Sequence, residues 1–169
     1  MNTPFVAVLM GSDSDLPVMQ NTLDVLDKLG IPFEVKITSA HRTPEETQAY
    51  VTDADRRGCA TFIAAAGLAA HLAGAVSAQT IKPVIGVPLD AGGLGGMDSL
   101  LSTVQMPGGI PVASVAIGKP GAKNAAYLAA QIMALSNNDI ANRLKAEREA
   151  NAKAIIEKSA AIQQQFKKD

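Results

Sequence analysis

A single three-layer α/β/α sandwich with a central parallel sheet is the fold class this sequence predicts, and two patterns predict it. Short apolar runs recur along the chain, each bounded by Gly or Pro: Phe5 to Met10, Phe33 to Thr38, Thr61 to Ala66, Val84 to Val87 and Val112 to Ile117. Runs this short suit strands buried on both faces. Stretches with helical spacing separate them, and parallel neighbours require such crossovers, with helices on both faces of the sheet.

The first helix is marked by Leu16, Met19, Leu23 and Leu26, three or four apart, with Asp13 or Ser14 placed to cap it and Gly30 to end it. The second starts at Thr43-Pro44-Glu45-Glu46: a hydroxyl cap, proline in the first turn and acids at the positive end of the dipole. A later alanine-rich helix covers Ala125 to Leu135. From Asp139 to Lys168 the apolar points thin to Ile140, Leu144, Ile155, Ile156, Ile162 and Phe166 among charged and amide residues. That pattern predicts a long amphipathic helix, packed on its own subunit or clasping a neighbour. The expected division is a catalytic domain over 1–138 and a C-terminal helix over 139–169, the latter an oligomerisation arm.

Composition narrows the function. The 169 residues fit one domain, and 47% hydrophobic with 18% charged residues excludes a disordered chain. Fifteen Lys plus Arg against 16 Asp plus Glu leave no basic surplus for nucleic acid or an anionic membrane. Cys59 is the lone cysteine, so neither a disulfide nor a cysteine metal cluster is expected, and a reducing, cytoplasmic setting fits. The start MNTPFVAVLMGSDSD lacks the basic region of a signal peptide, and its apolar stretch meets Gly11 too early to span a bilayer. No GxGxxG motif occurs, and Gly118-Lys119 is followed by Pro120, not by the Ser or Thr of a P-loop.

In open parallel sheets ligands bind beyond the carboxyl ends of the strands. Three loops there carry polar residues. In Gly11 to Asp15 (GSDSD), Ser12 and the free amides of a helix start suit phosphate, and Asp15 suits ribose hydroxyls; the same residues also serve as ordinary caps. In Ser39 to Pro44 (SAHRTP), His41 suits proton transfer near neutral pH and Arg42 has the planar fork that grips phosphate. In Ala64 to Leu72 (AAAGLAAHL), His71 sits in apolar surroundings, where a structural histidine satisfied by a backbone carbonyl is the commoner outcome. Convergence of three successive loops on one sheet edge raises the functional reading above the separate bland ones.

Taken together, GSDSD, SAHRTP, AAGLAAHL and MDSLLSTVQMPGGIPVASVAIG resemble the class I N5-carboxyaminoimidazole ribonucleotide mutase family of purine (IMP) biosynthesis, once called phosphoribosylaminoimidazole carboxylase catalytic subunits. The resemblance runs from about Phe5 to Leu135 and rests on the order and spacing of the motifs. It implies a flavodoxin-like fold, a cytoplasmic homo-octamer with sites at subunit contacts, and an upstream ATP-dependent synthetase that makes the N5-carboxylate. Position by position, it implies that Ser12 and Asp15 bind nucleotide, Arg42 binds phosphate, His41 is catalytic and His71 is the second pocket histidine. Ser39 and Ala40 would flank the ribonucleotide, with Ala66, Gly67 and Leu68 against the carboxylate region. The chain departs from the family's usual GGAAHLPGM at Leu68 and Ala73, which stand where glycine and proline are usual, and Gly108 stands where some members carry a basic residue.

The implied reaction moves a carboxylate from N5 to C4 of the aminoimidazole ring with no cofactor, the enamine-like ring itself being the carbon nucleophile. His41 would protonate N5, and the small residues of Ala64 to Ala70 would wall in carbon dioxide. Three alternatives stand beside it. One is a class II carboxylase of aminoimidazole ribonucleotide using carbon dioxide, disfavoured by the segment Ala69 to Leu72. The others are a non-catalytic nucleotide-binding module and a carboxylase of pyridine mononucleotides.

Overall fold

The computed structural model describes residues 3–167. These form a five-stranded sheet, parallel throughout, in the order β2-β1-β3-β4-β5, with β1 Phe5–Met10, β2 Phe33–Ile37, β3 Cys59–Gly67, β4 Val84–Leu89 and β5 Ala113–Ser114. The helices are α1 Leu16–Lys28, α2 Pro44–Arg57, α3 Leu72–Ser77, α4 Met97–Val104, α5 Lys119–Ala134 and α6 Asn138–Gln165. This is the flavodoxin-like strand order.

Two cores explain why β1 reads as an unbroken apolar run. Val6, Val8 and Met10 face one side with α1, α5 and the start of α6, while Phe5, Ala7 and Leu9 face the other with α2 and α3. A strand's period of two, buried on both sides, leaves no polar position. Strand β3 divides the same way, Ile63 and Ala65 against Phe62 and Ala64.

Helix α5 lies close to the sheet and to α1 because its inward stripe is Gly121, Ala122, Ala125, Ala126, Ala129 and Ala130. A Cβ on Gly121 would sit 1.5 Å from the Ala116 carbonyl oxygen, so no other residue fits there. The Thr22 hydroxyl, fully buried, donates to the Ala122 carbonyl at 2.7 Å and ties α1 to α5. The buried stripe of α1 is Met19, Thr22, Val25 and Leu26, with Leu16 left exposed.

Sequence periodicity overstates β5. The run Val112 to Ile117 predicts a full strand, yet only Ala113–Ser114 pair regularly. The Gly86 and Pro88 carbonyls face β5, accepting from the Val115 and Gly118 amides. Proline offers no N–H in return, and regular pairing with β4 ends at Ser114.

The first turns of α6 belong to the body of the domain. Ile140 and Leu144 join the core, and the Glu147 carboxylate takes Lys28 Nζ at 2.7 Å and the Tyr127 hydroxyl at 2.6 Å. Burial alone would raise the Glu147 carboxyl, but these two donors more than offset it and hold it below the usual range. Beyond Asn151 the helix is exposed on every side. Among the described residues no helix is long and apolar enough to cross a membrane.

Candidate active site

The chain steps from β1 to β2 at one edge, then returns past β1 to β3. That reversal is a topological switch point, where loops leaving β1 and β3 diverge and open a crevice. A cleft of about 390 Å³ lies there, lined by the loops after β1, β2 and β3 and by Ala91 after β4.

In the first loop a short 3-10 turn, Asp13–Asp15, precedes α1. Its cap is Ser12, not the Asp13 or Ser14 that spacing suggests: Ser12 Oγ accepts from the Ser14 amide, and the Ser12 amide donates to Asp15 Oδ2 at 3.0 Å. This reciprocal pair is a capping box. Burial pushes the Asp15 carboxyl up, against the lowering effect of the Ser12 and Gly11 amides. The Asp15 carboxylate therefore shapes the loop.

The second loop is held from beneath by hydroxyls. Thr38, 4% exposed, bonds to Thr47 at 2.7 Å and to Thr43 at 3.1 Å. Thr43 does not cap α2 with its side chain, as spacing suggests; its hydroxyl accepts from the Ser39 amide and donates to the Ser39 carbonyl. Ser39 Oγ accepts from the Arg42 amide at 3.2 Å. This closed ring of hydrogen bonds projects His41 and Arg42, both exposed, from a fixed base. The Arg42 guanidinium donates to the Gly11 carbonyl at 3.1 Å, which sets it beside Ser12 and Ser14. The Ser12 and Ser14 hydroxyls and the Arg42 guanidinium thus line the cleft together, with the Ser12 hydroxyl and the Ser14 amide also donating to Asp13 Oδ1.

The third loop brings His71 against His41. Nε2 of His41 and Nδ1 of His71 are 2.7 Å apart, with the rings edge to face at 84°. One ring supplies the hydrogen on the shared edge and the other accepts it. His71 is therefore exposed in the cleft, not a core histidine satisfied by a carbonyl. The loop is pinned by Ser102 of α4, whose Oγ accepts from the Ala70 amide at 2.9 Å and donates to the Asp98 carbonyl. Leu68 has φ 55°, positive for a residue other than glycine. That conformation costs an L-residue about 1–2 kcal/mol.

All the residues singled out from sequence, Ser12, Asp15, Ser39, Ala40, His41, Arg42, Ala66, Gly67, Leu68 and His71, line this one cleft. The expected wall of Ala64 to Ala70 is only partly present: Ala64, Ala65 and Ala70 are buried in the body, and the lining begins at Ala66. Sequence reasoning gave no role to the Thr38-Thr43-Thr47 ring or to Ser102, whereas Ala91 begins a stretch of small residues, Ala91 to Gly96, whose composition suits close packing or ligand approach. Spacing i, i+4 from Thr43 to Thr47 was the one available signal.

Comparison with known proteins agrees with this geometry. The AIR carboxylase family model matches residues 5–154. The chain belongs to the AIR carboxylase family. It is 50% identical over 156 residues to the N5-carboxyaminoimidazole ribonucleotide mutase of Bacillus subtilis, covering 92% of this chain and 96% of the relative. The protein of that name from Escherichia coli is 46% identical over 156 residues, covering 92% of each chain. The crystal structure of Treponema denticola PurE superposes with a TM-score of 0.85 at 33% identity, over 94% of this chain and 98% of that one. The catalytic fold of this AIR carboxylase family member is thus shared across nearly its whole length.

Proposed function

We propose that this chain is an N5-carboxyaminoimidazole ribonucleotide mutase, an isomerase of purine biosynthesis that moves the carboxylate of its substrate from N5 to C4. The observation that carries the reading is the His41–His71 contact at 2.7 Å, placed beside Arg42 and Ser12 in one cleft. Named relatives at 46–50% identity support the mutase over the class II carboxylase and the non-catalytic module.

The site residues take these roles. Ser12, the amides of the first turn and Arg42 bind the phosphate, Asp15 Oδ1 accepts from the ribose, and Ser39 and Ala40 border the nucleotide. His41 delivers a proton to N5; the N5–carboxyl bond breaks, its electron pair stays on N5, and carbon dioxide is released inside the cleft. C4 attacks that carbon, and the C4 proton returns to His41. His71, bonded to His41, orients its ring and shares the proton between steps. Protons balance over the cycle, and no metal or organic cofactor enters it. Ala66, Gly67 and Leu68 stand along the carboxylate side.

Assembly is part of the reading. Leu94, Met97, Leu101 and Val104 on and before α4 are 46–67% exposed, and Ile155, Ile156 and Phe166 of the C-terminal segment are 68–78% exposed. Such apolar surface suits burial between copies, and a homo-octamer with shared sites is the proposed state. The working place is the cytoplasm, and the functional neighbour is the ATP-dependent synthetase that supplies the N5-carboxylate.

The test uses substrate labelled at the N5-carboxyl carbon in excess unlabelled bicarbonate. Label retained at C4 is the expected result. Complete dilution in the first turnovers, or turnover only of aminoimidazole ribonucleotide with carbon dioxide, overturns the mutase reading.

A further inference from the structure

We propose that Ser102, a residue of α4 outside the cleft lining, is a positioning residue that holds the His71 ring against His41 through the Ala70 amide. The inference rests on the mutase reading and deepens it.

His71 stands between two neighbours that are fixed in different ways. On its C-terminal side Leu72, 2% exposed, opens α3, and the His71 carbonyl accepts from the Ala75 amide at 2.9 Å. On its N-terminal side the chain has left β3 at Gly67, and Ala70, also 2% exposed, donates its amide to Ser102 Oγ at 2.9 Å. Among the described residues no other hydrogen bond ties residues 68–70 to another element. The Ser102 hydroxyl is itself directed. Its hydrogen points back along α4 to the Asp98 carbonyl at 2.7 Å, with the Ser99 carbonyl at 3.2 Å, which leaves a lone pair for the Ala70 amide. Helix α4 is fixed in turn by Ser99, fully buried, whose Oγ lies 2.8 Å from both the Leu89 and the Gly96 carbonyls. A run of hydroxyls thus leads from the end of β4 to the peptide before His71.

The contact it serves is exacting. His41 Nε2 and His71 Nδ1 meet at 2.7 Å with the rings edge to face, so the pair depends on where residue 71 stands. His41 rides on a different loop with its own ring of hydroxyls, and the two loops must be fixed independently. Removing the Ser102 hydroxyl leaves a buried amide without an acceptor, and the loop satisfies it by moving away from α4 toward water, taking the His71 ring along. Ser12, Asp15 and Arg42 belong to the other two loops and keep their places.

The test compares the intact enzyme with Ser102→Ala, Ser102→Thr and Thr22→Ala. Thr22 ties α1 to α5 outside the cleft lining, so its variant controls for lost stability alone. Ser102→Ala should lower kcat by about 10- to 100-fold with KM within about twofold of the parent. Threonine keeps a hydroxyl able to bond back along the helix, and Ser102→Thr should restore most of the lost kcat. Thr22→Ala should melt lower with both constants unchanged. A second readout needs no turnover. His41 and His71 are the chain's two histidines, so carbethoxylation of imidazole followed by absorbance reports this pair alone. That reagent favours Nε2, which His41 has turned onto His71 and His71 holds open in the cleft, so the parent should react in two phases. The phases should merge in Ser102→Ala and stay apart in Thr22→Ala. Should Ser102→Ala fail to fold, Ser102→Cys, of similar shape with a poorer acceptor, carries the same expectations at smaller amplitude. Parental kcat and two phases in the Ser102 variant overturn the proposal and leave the mutase reading standing. A rise in KM that matches the loss of kcat, or a threonine variant no better than alanine, makes Ser102 merely structural and also overturns it. A parent that does not turn over the labelled substrate overturns the mutase reading, and the carbethoxylation phases then decide on Ser102 by themselves.

Discussion

His41 and Arg42 are neighbours in sequence with separable jobs, and their variants should separate them. Asparagine at position 41 matches the imidazole in size and hydrogen bonding but moves no proton near neutral pH. His41→Asn is expected to leave nucleotide affinity within about twofold and to cut kcat by about 10²- to 10⁴-fold; steady-state kinetics with a binding titration checks this. Arg42→Ala removes a charge-assisted hydrogen bond, a loss of about 1.5–3 kcal/mol, which is about 10- to 150-fold in KM with a smaller change in kcat. Unchanged KM would place the phosphate elsewhere. Cys59 shows the opposite case of a reactive residue type with no part in the site. It is fully buried, burial pushes its thiol up to about 11, and its Sγ donates to the Thr61 carbonyl. An inert thiol of this kind should resist alkylation in the folded enzyme.

At the scale of elements, the loop that carries both His41 and Arg42 owes its shape to hydroxyls one layer below. Thr38→Val keeps volume but removes the shared partner of Thr43 and Thr47. The expected cost is about 1–2 kcal/mol of stability, and kcat should fall about tenfold because both site residues ride on the displaced loop. A melting curve and a kcat measured on the same preparation check the pair of effects. This ring also marks the limit of what the sequence discloses. Strand positions, helix α1 and the convergence of three loops follow from periodicity and from the rule that ligands sit beyond strand ends. The partners of individual hydroxyls do not, because a threonine before a proline looks like a cap whether its oxygen turns forward to the helix or back to Ser39. His71 is similar: an alanine-rich context predicts a buried ring, and only the fold shows that residue 41, thirty positions away, faces it. The shortened β5 was hidden for a third reason, since Pro88 weakens the ladder on the neighbouring strand and leaves no mark in the apolar run it disrupts.

On the scale of the whole molecule, α6 is two things joined end to end, and truncation should show where they meet. Its first turns hold Ile140 and Leu144 in the core and place Glu147 between Lys28 and Tyr127. A chain ending after Leu144 loses that carboxylate, so two charge-assisted contacts go, at a cost of about 1–3 kcal/mol. Such a truncation damages the domain as well as any assembly, and does not isolate the arm that the boundary at 138/139 anticipates. A chain ending after Asn151 keeps all of these contacts, and the described residues it removes, 152–167, are all exposed in the single subunit, among them Ile155, Ile156, Ile162 and Phe166. Exposed apolar side chains on a solvated helix contribute nothing to the stability of one subunit but bury area when copies meet. The shorter chain should therefore keep its secondary structure by circular dichroism, and its site should still bind nucleotide. If the proposed octamer assembles through these residues, mass by light scattering should be near eight times the chain for the parent and smaller for the truncated chain, with turnover falling in parallel if the sites are shared between subunits. A mass unchanged by removal of residues 152–169 would shift the proposed assembly contacts to the exposed stripe of α4, where Met97, Leu101 and Val104 are the next positions to vary.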